Sequence, residues 1–262
     1  MKQDGMERYG LPPEVGFKTG KRGILPERPT LVLIHGAGGN AQNFLPQLRV
    51  LDRNLNVLAL ELPGHGMTPG TGCEHIEDYA DWVQQCLERF AVGSYFLGGH
   101  SMGGAVSLEV GLGFPEKVSG IILIASGARF GVSSKILEGL RENPHETLVR
   151  INQWCYPKGT DPILIAQAVR MMEQTPASVT RNDFLACDRY QCREEVHQLT
   201  IPTLILVGEQ DIMTPPSYSR FLHETISSAC LTIIPGAGHM VMLEKPREVN
   251  QAILEFVQNF WK

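Results

Sequence analysis

Six short runs of almost wholly apolar, often β-branched residues recur along this chain. They limit its fold more than any other feature. They lie at 30–34, 56–60, 94–98, 119–125, 203–207 and 230–234, as in Leu31-Val32-Leu33-Ile34 and Leu204-Ile205-Leu206-Val207. A strand with one wet face alternates apolar and polar side chains, and these runs mostly do not. A continuous apolar run of this length reads as a strand covered on both faces. Helix-compatible stretches, such as Ile76–Phe90 and Gly104–Gly113, lie between most of them. The alternation predicts an α/β fold, a mostly parallel sheet with helices on both faces. The 262 residues are enough for one large domain of this kind.

The spacing breaks once. Residues 127–202 separate two strand runs, where an ordinary helix-to-strand connection takes about 2–6 residues. This segment contains helix-like pieces near Val132–Glu142, Pro144–Cys155, Pro162–Glu173 and Arg181–Cys192, punctuated by prolines. It is expected to form a helical cap over the carboxyl edge of the sheet, with residues 1–126 and 203–262 as the core. The Gly- and Pro-bearing first 29 residues are expected to hold one or two short edge strands, around Glu14–Thr19 and Lys21–Leu25.

One strand run leads into Gly99-His100-Ser101-Met102-Gly103-Gly104, and a helical stretch leaves it. That is the context of a G-x-S-x-G nucleophile elbow. So tight a strand-to-helix turn strains the central residue and needs small flanks. It projects the Ser101 hydroxyl at the sheet's carboxyl edge, beside the positive end of a helix.

A serine hydroxyl is a weak nucleophile until a base takes its proton, and the base needs an orienting acid. After this nucleophile the acid should come first and the histidine second. His239 follows a strand run in the loop Pro235-Gly236-Ala237-Gly238, where it can reach the sheet's carboxyl edge, whereas His223 reads as the polar side of a helix. Asp211 follows the run Thr203–Val207 and is the preferred acid. Glu209 shares its loop and is the alternative; Ile124-Ala125-Ser126-Gly127, after the preceding strand, offers no carboxylate. Negative charge developing on a carbonyl oxygen needs preorganised donors. Met102 N–H, just past the nucleophile, and Ala37 N–H, in His35-Gly36-Ala37-Gly38-Gly39, are the candidates. That loop is not a dinucleotide fingerprint, because position 41 is Ala, and no Walker A pattern occurs.

Glu61, His35, His65 and His100 read as structural. Among the apolar cap residues Phe130, Ile136, Leu140, Trp154, Met171, Met172, Val179 and Phe184, most should bind cap to core. Trp154, Met171 and Met172 are the candidates for lining a pocket, Met being adaptable. Gly36 and Met240, beside the reacting groups, complete the expected substrate contacts.

With these segments in order over residues 30 to 245, the chain resembles the α/β-hydrolase superfamily, especially its small esterase and haloperoxidase-like members. Leu62-Pro63-Gly64-His65-Gly66, Gly208-Glu209-Gln210-Asp211 and Gly238-His239-Met240 join the elbow and the His35 loop in carrying the likeness. The resemblance implies a Ser101–His239–Asp211 triad with an oxyanion hole from Ala37 and Met102. Such a site performs acyl transfer with no metal or organic cofactor. Serine at the elbow sets the chain apart from epoxide hydrolases and haloalkane dehalogenases, which are expected to carry Asp there.

The expected activity is a carboxylesterase acting on small to medium, mostly apolar esters. Carbon–carbon bond hydrolysis of the meta-cleavage type is an alternative. Relatives of that kind usually have Trp after the histidine, where this chain has Met240, and a clearly placed cap arginine, for which Arg129, Arg170, Arg181 and Arg189 are the candidates. Lactonase, thioesterase and perhydrolase chemistry would use the same groups, and a ligand receptor keeping a slow triad is the reading from another class.

Net charge is −5. No Lys/Arg cluster points to nucleic acid, and no apolar run nears the roughly 20 residues of a membrane helix. The first eight residues lack a signal peptide's apolar core, so a cytoplasmic location is expected. The six cysteines form no C-x-x-C and match no zinc spacing, which predicts reduced thiols. The oligomeric state is left open by the sequence.

Overall fold

A computed structural model describes residues 10–89 and 93–261. The N-terminal stretch read for a signal peptide and Phe90, at the end of an expected helix, lie outside the described residues. Seven strands form one sheet: β1 (Phe17–Thr19), β2 (Thr30–Ile34), β3 (Asn56–Leu60), β4 (Tyr95–His100), β5 (Val118–Ile124), β6 (Thr203–Gly208) and β7 (Ala229–Ile234). Their spatial order is β1-β3-β2-β4-β5-β6-β7. β1 pairs antiparallel with β3, Phe17 opposite Leu60, and every other pair is parallel.

Alternate residues of one strand serve two cores, which explains the unbroken apolar runs. In β2, Val32 and Ile34 join one cluster and Leu31 and Leu33 the other. Helices α1 (Leu45–Leu51), α9 (Val241–Glu244) and α10 (Pro246–Phe260) cover the second side; α2 (Ile76–Arg89), α3 (Met102–Gly113) and α8 (Pro216–Thr225) cover the first. Each Leu or Ile so enclosed contributes about 1.5–3 kcal/mol.

Between β5 and β6 run α4 (Ser134–Glu142), α5 (Pro144–Cys155), α6 (Pro162–Met172) and α7 (Ala177–Arg189). They pack on one another around a small cluster of their own that includes Ile136, Leu148, Ile151 and Phe184. Ser133 caps α4 and Asp161 caps α6 through side-chain oxygens on backbone N–H groups.

Two expectations are corrected. Helix α7 begins at Ala177, not Arg181: Pro176 sits at its N-cap and Thr180 N–H bonds Pro176 O at 3.0 Å, starting the helix a turn early. No strand forms over Lys21–Leu25, because side chains take its amides. The Asp52 carboxylate accepts Arg22 N–H at 3.1 Å, and Asn56 Oδ1 accepts Leu25 N–H at 2.8 Å.

All six cysteines are unpaired thiols, four of them buried. Among the described residues, no helix is long and apolar enough to cross a membrane.

Candidate active site

β4 ends at His100 and α3 begins at Met102, so Ser101 alone makes the turn. Its φ of 52° and ψ of −117° lie outside the common regions for an L-residue. Ser101 N–H donates to Ile124 O at 2.9 Å, and Ser126 Oγ donates to Ser101 O at 2.8 Å, so the end of β5 grips the strained residue from both sides. The flanks have no room. A Cβ on Gly99 would collide with the Gly103 carbonyl, and one on Gly103 with that of Ile34.

His239 leaves the loop after β7 with Nδ1 2.9 Å from Asp211 Oδ2. Asp211, from the loop after β6, is buried and takes three more donors: Met213 N–H at 2.8 Å, Thr214 N–H at 2.9 Å and Thr214 Oγ1 at 2.8 Å. Burial alone would raise its pKa, but His239 and the Thr214 donors outweigh that and hold it below the ordinary carboxylate value. An ionised Asp211 requires the proton on Nδ1 of His239 and leaves Nε2 as the basic atom. Glu209, the alternative acid, is exposed and turns to Gly236 N–H at 3.2 Å. Thr214 Oγ1 also lies 3.2 Å from His239 Nδ1, so the hydroxyl bridges acid and ring.

The backbone of His239 is fixed as well. Its N–H donates to Cys155 O, at the end of cap helix α5, at 2.8 Å. Its carbonyl accepts His100 Nε2 at 3.0 Å, and the two rings pack with centroids 4.7 Å apart. Burial, then the neighbouring His239, depresses His100 to about 3, so it is a neutral donor. It therefore packs on His239 as a structural group, as its reading from the sequence has it.

The candidate oxyanion donors follow from two peptide planes. Gly36 O accepts His35 Nδ1–H at 2.9 Å and Gly39 N–H at 3.0 Å. In a trans peptide the N–H points opposite its carbonyl, so Ala37 N–H is turned away from those donors. Gly36 abuts Ser101: a Cβ there would stand 3.2 Å from Ser101 Cβ. Met102 N–H, first in α3, has no partner within its helix. The next plane is held by the cap, Gly38 N–H donating to Asp183 Oδ2 of α7 at 2.7 Å. The same oxygen lies 2.9 Å from His65 Nε2, and Tyr79 hydroxyl donates to Oδ1. His35 Nε2 accepts Leu62 N–H at 3.1 Å, and its ring lies 4.6 Å from that of His65. Burial holds His35 well below its usual pKa, hence neutral.

Ser101 and His239 share a cavity of about 690 Å³ with Gly36, Ala37, Met171, Met172 and Met240. Among the described residues, no hydrogen bond joins Ser101 Oγ to His239 in this geometry. Phe130, Ile136 and Phe184 of the cap also line it, whereas Leu140 and Val179 do not. Trp154 does not line it either, which corrects the expectation. Helix α5 turns Ile151, Asn152 and Cys155 inward; Trp154 lies at the edge of that stripe and packs on the cap's own cluster. None of Arg129, Arg170, Arg181 and Arg189 reaches the cavity, whose cations are Lys158 and Lys245. Among the described residues, no three His, Cys, Asp or Glu side chains cluster as a metal site.

Asp183, Thr214 and the Cys155 carbonyl were not anticipated. Two of them left a trace in the sequence. Asp183 is the one charge on the stripe Val179-Thr180-Phe184-Cys187 of an amphipathic helix. Thr214 stands three residues after Asp211, just before Pro215-Pro216 starts α8, a spacing suited to a side-chain-capped turn. A backbone carbonyl leaves none.

A family model described as the alpha/beta hydrolase family matches residues 31–252. The chain is 28% identical, over 92% of its length and 66% of the relative's, to a Pseudomonas putida protein named dihydrolipoyllysine-residue acetyltransferase component of acetoin cleaving system. It thus spans just under two thirds of that relative. It is 25% identical to the (E)-2-((N-methylformamido)methylene)succinate hydrolase of Acinetobacter baylyi, over 88% of this chain and 91% of that one. A solved structure described as a thermophilic esterase superposes with a TM-score of 0.83, at 31% identity and 94% coverage of both chains.

Proposed function

The chain belongs to the alpha/beta hydrolase family, and from that premise we propose that it is a serine carboxylesterase for small to medium, mostly apolar esters. The observation that carries the reading is the 2.9 Å His239–Asp211 contact at one end of a cap-covered, largely apolar cavity whose wall includes the strained Ser101.

In this reading His239 Nε2 takes the Ser101 proton as Oγ attacks the ester carbonyl. The oxyanion is received by Ala37 and Met102 N–H. Protonated His239 then gives its proton to the leaving alcohol, and water repeats the cycle on the acyl-enzyme. Asp211 stays ionised and stabilises the imidazolium. Each oxyanion donor is worth about 10²–10³ in kcat.

Phe130, Ile136, Met171, Met172 and Phe184 suit an acyl chain. The cavity's cations are Lys158 and Lys245, and it lacks the lining arginine expected of the carbon–carbon alternative, so the ester reading is preferred. The esterase-described structure at 31% identity supports the ester reading.

The test is a fluorophosphonate probe with p-nitrophenyl esters from acetate to laurate, beside Ser101→Ala. Labelling and turnover that both vanish in Ser101→Ala are expected. Turnover that survives the substitution, or no ester cleaved at all, refutes the reading.

A further inference from the structure

His65 sits between two acceptors. Its Nδ1 lies 3.0 Å from Pro63 O and its Nε2 2.9 Å from Asp183 Oδ2. A neutral imidazole has one N–H and cannot donate to both, so the geometry suits the doubly protonated ring. Asp183 is the complement. Its two oxygens take Tyr79 hydroxyl, His65 Nε2 and Gly38 N–H, three donors and no acceptor. Both side chains are 0% exposed.

The other titratable groups near this carboxylate are uncharged. Burial lifts the Cys73 thiol to about 11 and holds Cys187 and Tyr79 well above their usual values. His35, which packs on His65, is neutral. The pair is thus one cation against one anion, sealed between the loop after β3 and cap helix α7.

We propose that Asp183 is a positioning residue for the oxyanion hole, holding the Ala37–Gly38 peptide from the cap as a carboxylate paired with His65. The proposal rests on the esterase reading above. Gly38 has φ +65°, and a Cβ there would press on Met172 and on Thr180 Cγ2, so the loop is seated against the cap and Asp183 pins its amide. The neighbouring plane, which carries Ala37 N–H, is pinned by neutral His35. With both planes fixed, Ala37 N–H has one direction in which to point.

Leucine keeps about the size of this side chain and carries no acceptor, so Gly38, His65 and Tyr79 all lose their partner. Asp183→Leu should lower kcat about 10²-fold, as expected for a lost oxyanion donor, with KM within about threefold. A trifluoromethyl ketone, whose adduct places an oxyanion there, should weaken by a similar factor, and the matching methyl ketone should not. A folded Asp183→Leu with wild-type kcat, or with only KM raised, overturns the proposal.

Should that variant not fold, wild-type protein decides by amide NMR. A Gly38 proton shifted downfield and slow to exchange is expected of a charge-assisted bond; exchange like that of an open loop overturns it. If wild-type protein cleaves no ester, the functional reading fails instead, and the Gly38 amide still reports whether Asp183 holds the loop.

Discussion

Cys155 and His239 are joined across the boundary between cap and core, the carbonyl that ends α5 accepting the His239 N–H at 2.8 Å. The histidine proposed as base is thus held at its ring by Asp211 and at its backbone by the cap.

Gly238 lets that contact form. A Cβ there would stand 2.9 Å from Cys155 O and 3.0 Å from Pro157 Cδ. Gly238→Ala should push the loop off the carbonyl and lower kcat about tenfold while the protein stays folded, since displacements below an ångström at reacting groups are costly. Steady-state kinetics with near-UV circular dichroism would check this.

Asp211 and Glu209 share a loop, but only Asp211 meets the ring. Asp211→Asn should cost about 10⁴ in kcat, and Glu209→Gln close to nothing. Thr214→Val removes one donor to the carboxylate, worth about 1.5–3 kcal/mol for a charged acceptor, and should slow turnover by about tenfold or more. Rates of all three on one ester would check the order.

His65 has a pKa raised above its usual value: burial opposes the charge, but the Asp183 carboxylate together with the Pro63 and Leu62 backbone outweighs it. A raised folded value stabilises the fold fully below the unfolded value, about 6.5, and that stabilisation is lost as the pH rises through the folded value. The stability gap between wild type and His65→Gln should therefore be widest at mildly acidic pH and narrow on the alkaline side. Urea unfolding across a pH series would measure it, and a gap constant with pH would contradict the ion pair.

Met172 lines the cavity and Trp154 does not. Met172→Ala should move the preferred p-nitrophenyl ester to a longer chain. Trp154→Ala should lower the melting temperature and leave the preference in place.

The strand runs were legible because both sides of the sheet are covered: Val32 and Leu33 face different cores, yet both must be apolar. The elbow was legible because its geometry tolerates little besides glycine at its flanks. Lys21–Leu25 misled because Asp52 and Asn56, distant in sequence, supply the acceptors its amides need. Trp154 misled because size and apolarity say nothing of which side of α5 faces the cavity. Asp183 was passed over because its partners, Gly38, His65 and Tyr79, lie on separate segments far upstream and meet only when the cap closes the sheet edge.

The cap that walls the cavity also supplies the carbonyl on His239 and the carboxylate on Gly38. A lid of this kind is not modular. Grafting α4 to α7 from a relative would bring new walls for the acyl chain and, in the same piece, new anchors for the reacting loops. Among descendants of such a scaffold, substrate range and turnover would be inherited together, and a chimera judged only by its pocket shape would be misjudged.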